Sequence, residues 1–181
     1  MRSSVPSVWD TDKVEPHGYF ATYLSIAAEL GPSARVCELG VENGESLRMF
    51  QGLFPCGEVT GVDANPYSVW PDGTVQVVSP QDAKNLPEVL GGSFDLIVDD
   101  ASHSGILTHR SFSLLWGLVN PGGYYVVEDW FIGIERYLDG AYDPVMLDTV
   151  KNFLRLLRKR DSECEFILYR YGLAILKKRQ A

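Results

Sequence analysis

Apolar residues along this chain occur in short continuous runs that alternate with longer stretches of helical spacing. Residues 94–98, Phe-Asp-Leu-Ile-Val, and 123–127, Gly-Tyr-Tyr-Val-Val, have the length and content of buried strands. This alternation is typical of a mostly parallel sheet with helices on both faces. The predicted strands comprise residues 35–39, 59–62, 74–78, 94–98, 124–127, 165–169 and 173–176, and the predicted helices residues 19–30, 45–53, 82–90, 106–118 and 143–160.

The end of the chain departs from this alternation. A short turn at Tyr171-Gly172 joins the last two predicted strands, so we expect them to form an antiparallel hairpin. The residues Asn120-Pro-Gly-Gly123 predict a turn before the fifth strand. We therefore expect one α/β domain over residues 1–181, with a seven-stranded sheet ending in this hairpin and with residues 1–33 on the side of its active site.

Two acidic pairs follow predicted strands directly. Asp99 and Asp100 begin the sequence Asp-Asp-Ala-Ser-His103 after the fourth strand, and Glu128 and Asp129 follow the fifth. Ligands of open α/β sheets bind at the carboxyl ends of the strands, so these side chains would face one crevice if the strands are neighbours. Carboxylate oxygens suit Mg²⁺ or Ca²⁺, and a histidine beside them suits proton abstraction.

Each acidic pair also has a structural interpretation. The aspartates after the fourth strand could cap the next helix, as could Ser102 or Ser104. The pair Glu128-Asp129 could lie in a solvated turn. Because both pairs coincide at strand ends, the functional interpretation is favoured.

A glycine-containing turn follows the first predicted strand. Gly40 and Gly44 would let a ligand approach the backbone, and Glu38 before them suits an ammonium group better than a pyrophosphate. Asp63 ends the second strand, where a carboxylate commonly binds ribose hydroxyls, although a turn or capping role is the alternative. Asp82 follows the third strand and either lies at an adenine edge or caps the next helix.

Composition narrows the range of functions. The chain has 16 Lys and Arg against 24 Asp and Glu, a net charge of −8. Residues 1–150 alone carry 7 basic and 21 acidic side chains, and this charge of −14 argues against a nucleic-acid partner. Its three cysteines, Cys37, Cys56 and Cys164, lack metal-ligand spacing and predict a reducing, cytoplasmic setting. No apolar run has the length of a membrane span, so no membrane partner is expected.

The chain resembles the class I S-adenosylmethionine-dependent methyltransferases over nearly its whole length. More narrowly, it is similar to the metal-dependent sugar O-methyltransferases of macrolide and related antibiotic pathways. The resemblance implies a Rossmann-like class I methyltransferase fold, S-adenosyl-L-methionine as the cofactor and bound Mg²⁺. The matching segments are Thr11-Asp-Lys13 with His17 and Tyr19, residues 38–49, Gly61-Val-Asp63, Asp99-Asp-Ala-Ser-His103, and residues 121–129.

The resemblance also implies roles for single residues. It assigns the catalytic base to His103 and the metal ligands to Asp100, Glu128 and Asp129. Asp99 is expected to face the methionine part of the cofactor or to support the metal ligands. The predicted cofactor-binding residues are Glu38, Gly40, Gly44, Asp63, Asp82 and Asp99, and the roles of Lys13, His17 and Tyr19 stay open.

The implied function is Mg²⁺-dependent O-methylation of a small natural product, first of all on a sugar of a glycosylated metabolite in antibiotic biosynthesis. The alternatives are methylation of a non-sugar hydroxyl, a cyclase that uses the cofactor pocket without methyl transfer, and a non-catalytic partner subunit. The aromatic residues within 130–142 either form the acceptor pocket or belong to the core or a subunit interface. Homo-oligomerisation is left open.

Overall fold

The computed structural model describes residues 9–132, 144–157 and 163–180. Seven strands form one sheet in the order β3-β2-β1-β4-β5-β7-β6. Neighbours among β1 to β5 are parallel, whereas β7 runs antiparallel to both β5 and β6. The strands are β1 (Val36–Leu39), β2 (Val59–Asp63), β3 (Val75–Val78), β4 (Phe94–Asp99), β5 (Val119–Glu128), β6 (Cys164–Arg170) and β7 (Leu173–Lys178).

Helices cover both faces of this sheet. Tyr23 and Phe50, from α1 and α2, pack on a first face that includes Leu96. Phe112, from α4, packs with α3 and α5 on a second face that includes Ile97. The helices are α1 (Phe20–Leu30), α2 (Glu45–Leu53), α3 (Leu86–Leu90), α4 (Gly105–Leu115) and α5 (Pro144–Leu156), and a 3₁₀ turn covers Trp116–Leu118. The predicted mostly parallel sheet with a final hairpin is confirmed.

Two local predictions are wrong. The helix expected over residues 82–90 begins only at Leu86, because Pro87 occupies a first-turn position where a proline favours helix initiation. The residues Asn120-Pro-Gly-Gly123 do not form a separate turn but belong to β5, which pairs Val119 with Phe94 and then shifts register. The bulge accommodates the positive φ of Gly122 inside the strand.

Some predictions lie partly outside the described residues. The helix expected over 143–160 is seen as Pro144–Leu156, and residue 143 and residues 158–160 fall outside the described ranges. Most of the aromatic stretch 130–142 does so as well. None of the described helices combines the length and the apolar content that a bilayer crossing requires.

Candidate active site

A cavity of about 660 Å³ opens at the carboxyl ends of β1, β2 and β4. Its position agrees with the general location of ligands in open α/β sheets. Its described lining includes the predicted site residues Gly40, Asp63, Asp82, Asp100, His103 and Asp129. Four other predicted residues, Glu38, Gly44, Asp99 and Glu128, are buried and are not among the residues that line the cavity.

The two glycines of the first turn are needed by the backbone itself. Gly40 has a φ of 90°, and a Cβ there would collide with the carbonyl oxygen of Asp100. Gly44 has a φ of 75°, and a Cβ there would collide with the carbonyl oxygen of Val69. Gly40 thus lets the backbone after β1 approach the backbone after β4 closely at the cavity. Gly44 packs against the loop that follows β2.

Asp63 organises the same turn. Its Oδ2 accepts hydrogen bonds from the backbone N–H groups of Val41 and Glu42, at 2.8 and 3.1 Å, and its Oδ1 accepts one from Asn65 at 2.8 Å. Partial burial opposes the charge of Asp63, but the N–H groups of Asn65, Val41 and Glu42 hold its pKa below its usual range. The turn interpretation of Asp63 is therefore correct, and its carboxylate also lines the cavity.

Asp82 lies at the cavity without capping a helix. The N-cap residue of α3 is Asn85, so the capping alternative for Asp82 is wrong. Its Oδ2 lies 2.9 Å from Nη1 of Arg110 on α4, both groups being partly exposed. Such an exposed pair contributes little stability and leaves Asp82 available to a ligand.

An ammonium group lies among three of the predicted carboxylates. Nζ of Lys13 is 2.5 Å from Oδ2 of Asp100, 3.0 Å from Oε1 of Glu128 and 3.3 Å from Oε1 of Glu38. The Lys13 side chain is only 1% exposed. Tyr23 from α1 donates a short hydrogen bond to Oε1 of Glu128. We call Lys13, Glu38, Asp100 and Glu128 the inner cluster.

Strand geometry explains why the inner cluster forms. Side chains alternate between the faces of a strand, so Glu38 shares the first face with Val36, and Glu128 shares it with Val126. Asp100 follows Val98, which also lies on this face. Because β1, β4 and β5 are adjacent and their residues are paired in parallel register, the three carboxylates meet under the segment that precedes α1.

Burial dominates the electrostatics of the inner cluster. It opposes the charge of Lys13, but the carboxylates of Glu128, Glu38 and Asp100 outweigh it and keep the pKa of Lys13 well above its usual value. Burial raises the pKa of Glu38 to about 7, and it raises the pKa of Glu128 as well. One ammonium offsets part of the carboxylate charge, and the raised pKa values mean that Glu38 and Glu128 take up protons more readily than free carboxylates do.

A second group faces the cavity. One ligand atom each from Asp100, His103 and Asp129 lies within 4.8 Å of the others, and all three side chains are half-buried. His103 and Asp129 have φ values of 52° and 51°, in the left-handed region that residues other than glycine uncommonly adopt, although Asp and His do so more often than most. Tyr19 donates a hydrogen bond of 2.6 Å to Oδ1 of Asp129. We call Asp100, His103 and Asp129 the outer cluster.

Asp99 lies on the opposite side of its strand from Asp100. Its carboxylate is buried on the second face, where it accepts hydrogen bonds from Ser111, from Nε2 of Gln81 at 3.2 Å and from the Tyr125 hydroxyl at 3.1 Å. Burial raises the pKa of Asp99 to about 6. Asp99 is therefore connected to the cavity only indirectly, by its hydrogen bond from Gln81, which is part of the cavity lining.

The structural alternatives do not hold for Asp99, Asp100 or Glu128. The N-cap residue of α4 is Ser104, which makes no side-chain capping bond, so neither aspartate of the first pair caps this helix. Glu128 is buried and therefore does not lie in a solvated turn. In each pair, one carboxylate is buried and the other lines the cavity: Asp99 and Glu128 are buried, whereas Asp100 and Asp129 line the cavity.

Sequence reasoning assigned no role to three contributors to these networks, Tyr23, Gln81 and Lys13. Tyr23 could have been found, because it stands four residues after Tyr19 and therefore shares its helix face. Gln81 gave no signal beyond its place after β3. Lys13 was noticed only through the resemblance, and His17 from the same segment stacks on Tyr19 with its Nε2 3.7 Å from Oδ2 of Asp12.

Comparisons with known proteins give matches to O-methyltransferases. No protein-family model matches the chain. It is 34% identical over 160 residues to 8-demethyl-8-alpha-L-rhamnosyl tetracenomycin-C 2'-O-methyltransferase of Streptomyces olivaceus, covering 81% of this chain and 42% of that protein. It is 33% identical over 121 residues to mycinamicin VI 2''-O-methyltransferase of Micromonospora griseorubida, covering 61% of this chain and 30% of the relative.

A solved structure shows the same fold. The MycE methyltransferase from the mycinamycin biosynthetic pathway, in complex with Mg, SAH and mycinamycin VI, matches with a TM-score of 0.79 at 23% identity, over 92% of this chain and 50% of that chain. The predicted class I methyltransferase fold is confirmed, as is the resemblance to antibiotic sugar O-methyltransferases. The chain spans less than half the length of the two curated relatives.

Proposed function

We propose that this chain carries the active site of an S-adenosylmethionine- and Mg²⁺-dependent O-methyltransferase that acts on a hydroxyl of a small natural product. One observation carries the proposal. His103, which can accept a proton, lies beside the carboxylates of Asp100 and Asp129 at a cavity of cofactor size. Methyl transfer to a hydroxyl needs both a proton acceptor and an aligned oxygen.

The cavity fits a nucleoside cofactor in size and in its polar groups. A volume of about 660 Å³ falls within the range of small-molecule sites. Asp63 has a lowered pKa and stays ionised at neutral pH, so its carboxylate can accept hydrogen bonds from ribose hydroxyls. Gln81 and Asp82 lie on the side where an adenine edge is expected, and the Gly40 turn admits the rest of the cofactor.

The outer cluster fits a divalent cation. Asp100 and Asp129 supply the oxygen ligands that Mg²⁺ prefers, and both face the cavity. Oε1 of Glu128 is already engaged by Lys13 and Tyr23, so a third carboxylate ligand from Glu128 would have to use Oε2. When bound, Mg²⁺ lowers the pKa of an acceptor hydroxyl and fixes its orientation.

The residues of the chain then divide the reaction between them. His103 accepts the proton of the acceptor hydroxyl on a ring nitrogen while the hydroxyl oxygen forms a bond to the methyl carbon. The bond from that carbon to the cofactor sulfur breaks, and its electron pair stays on sulfur. Because His103 is half-buried and lines the cavity, it can release the proton to water afterwards.

We propose a sugar hydroxyl as the acceptor, since the tetracenomycin relative is named for the methylation of a rhamnosyl compound. Aromatic side chains support this choice. Phe131, two residues after Asp129, stacks on Tyr171 with ring centroids 4.7 Å apart, and Tyr171 is 73% exposed. Exposed rings of this kind stack on sugar faces. A role of the whole stretch 130–142 in the acceptor pocket is part of this proposal.

Cellular setting and assembly are also proposals. The exposed thiol of Cys56 is free, which fits a reducing cytoplasm. A single domain over residues 1–181 stays a prediction, and homo-oligomerisation is left open.

The test begins with calorimetric titration of S-adenosylhomocysteine into the protein, with and without Mg²⁺. We expect the nucleoside to bind and Mg²⁺ to give a separate signal that Asp100→Ala removes. Transfer of labelled methyl from the cofactor to glycosylated metabolites, compared with their sugar-free counterparts, then identifies the acceptor. No nucleoside binding under either condition would overturn the proposal.

A further inference from the structure

We infer that Lys13 is a positioning residue: its ammonium is a fixed counter-cation that orients Asp100 and excludes metal ions from the inner cluster, so that an added cation binds in the outer cluster. The inference rests on the proposed function in one respect, the binding of a divalent cation by Asp100 and Asp129. The role of Lys13 toward Glu38 and Glu128 does not depend on it.

The contacts of Lys13 connect the two halves of the site. Glu38 belongs to β1, which leads into the turn at the cofactor cavity, whereas Asp100 and Glu128 belong to the ends of β4 and β5. A single buried ammonium therefore ties three adjacent strand ends together. Asp100 is the member shared with the outer cluster, and Lys13 holds its Oδ2 at 2.5 Å.

Local hydrogen bonds hold the backbone around Lys13 in place. Its carbonyl oxygen accepts a hydrogen bond of 2.9 Å from the N–H of Phe20, the first residue of α1. The turn that contains Lys13 is closed by the N–H of Val14, which donates to the carbonyl of Thr11 at 3.0 Å. Lys13 is thus placed by local structure, unlike a flexible surface lysine whose ordering costs side-chain entropy.

The inner cluster would be a cation site if the ammonium were removed. Three carboxylate oxygens lie within 3.3 Å of the Lys13 nitrogen. One of them, Oε1 of Glu38, is buried without a hydrogen-bond partner among the described residues, although it is close enough to Lys13 for an ion pair. Oxygen atoms arranged in this way are the ligands that Ca²⁺, Mn²⁺ and Mg²⁺ take in proteins. Lys13 is therefore what keeps the position metal-free.

The test compares Lys13→Gln with Lys84→Gln, which removes the same charge from an exposed position. Thermal unfolding is measured in chelator and in Mn²⁺, and bound Mn²⁺ is counted by electron paramagnetic resonance. In chelator, we expect Lys13→Gln to lower the Tm by about 10 °C, because the buried Glu38 and Glu128 and the half-buried Asp100 lose their counter-ion. In Mn²⁺, we expect it to regain most of this loss and to bind one more ion per chain than the parent protein.

A role as an ordinary structural ion pair predicts a different result. Lys13→Gln would then be destabilised by the same amount, but Mn²⁺ would neither restore its Tm nor add a bound ion, and the inference would be overturned. The double variant Lys13→Gln with Glu128→Gln keeps the net charge. We expect it to unfold in chelator at a higher temperature than the single variant and to bind no additional ion.

The two proposals fail in different ways. If the parent protein binds no Mn²⁺ while Lys13→Gln binds one ion, the metal part of the proposed function is wrong and the role of Lys13 stands. If the parent protein binds one ion and Lys13→Gln gains none, the proposed metal site stands and the inference is wrong.

Discussion

The inner and outer clusters share Asp100 but differ in nearly every physical property. In the inner cluster the charges of Glu38 and Glu128 are buried and face a lysine at 3.0–3.3 Å. In the outer cluster Asp129 and His103 are half-buried, face the cavity and lie close to each other, and neither forms an ion pair with a lysine or arginine among the described residues. The comparison indicates that the inner carboxylates hold the strand ends together, whereas the outer ones are free for chemistry.

The change with the largest expected effect removes a charge from the outer cluster. Asp129→Asn keeps the shape of the side chain but loses a metal ligand, so we expect turnover to fall about 10³- to 10⁴-fold, or roughly 4–5 kcal/mol of transition-state stabilisation. The measurement is the initial rate as a function of Mg²⁺ concentration. Asp72→Asn, at an exposed site, is the control. An unchanged Mg²⁺ dependence in Asp129→Asn would mean that Asp129 is not a metal ligand, and the outer cluster would then not be the metal site.

His103→Ala tests the other half of the outer cluster. Loss of a general base costs about 10²- to 10⁴-fold, and we expect the lower part of this range because the bound cation already acidifies the hydroxyl. Calorimetry should show unchanged binding of S-adenosylhomocysteine, since the hydrogen bonds described for Asp63 and the ion pair described for Asp82 do not involve His103. His109→Ala, on the exposed side of α4, is the matched control. Near-normal turnover of His103→Ala would show that another group accepts the proton.

Much of the distinction between the clusters could be predicted from alternation along the strands. Leu96 and Val98 share a face with Asp100, whereas Ile97 shares the other face with Asp99, and the order of apolar residues in the sequence already implies this division. The parallel sheet and its hairpin followed from the same periodicity. The positions of the acidic pairs at neighbouring strand ends followed once β4 and β5 were taken as adjacent.

Other features could not be predicted because they depend on long-range packing. Lys13 and Asp100 are 87 residues apart in sequence, and no local pattern brings them together. Asp129 turns toward the cavity only because its backbone adopts a left-handed conformation, which the sequence after β5 does not signal. The Pro-Gly sequence within β5 predicted a turn, but pairing of Val119 with Phe94 outweighed it.

The adjacent residues Asp99 and Asp100 allow a test by pH. Burial raises the pKa of Asp99 from 3.8 to about 6, so its folded form binds a proton more tightly than its unfolded form. The free energy of unfolding should therefore fall as the pH rises from about 4 to 6, by roughly 3 kcal/mol from this group. Denaturant titrations without divalent metal should show that Asp99→Asn lacks this contribution. A parallel pH dependence in the variant and the parent protein would mean that Asp99 is not the titrating group.

The smallest effects come from two tyrosines that donate to successive acidic residues. Tyr23 donates to buried Glu128, and Tyr19 donates to half-buried Asp129. Tyr23→Phe leaves an oxygen that water cannot reach, so we expect a loss of about 1–3 kcal/mol in the free energy of unfolding. Tyr19→Phe leaves an oxygen that water can reach, so its loss should be about 1 kcal/mol or less.

In turnover, the order of the two tyrosine variants should be the reverse of their order in stability. Tyr19 orients a proposed metal ligand, so Tyr19→Phe should lower turnover about tenfold, as loss of a hydrogen bond to a metal ligand commonly does. Tyr23→Phe should lower it less, because Lys13 still holds Glu128 at 3.0 Å. Denaturant unfolding of the two variants gives the order of their losses in stability, and initial rates give the order of their losses in turnover. If the same tyrosine dominated both measurements, stability and chemistry would not be divided between the inner and outer clusters.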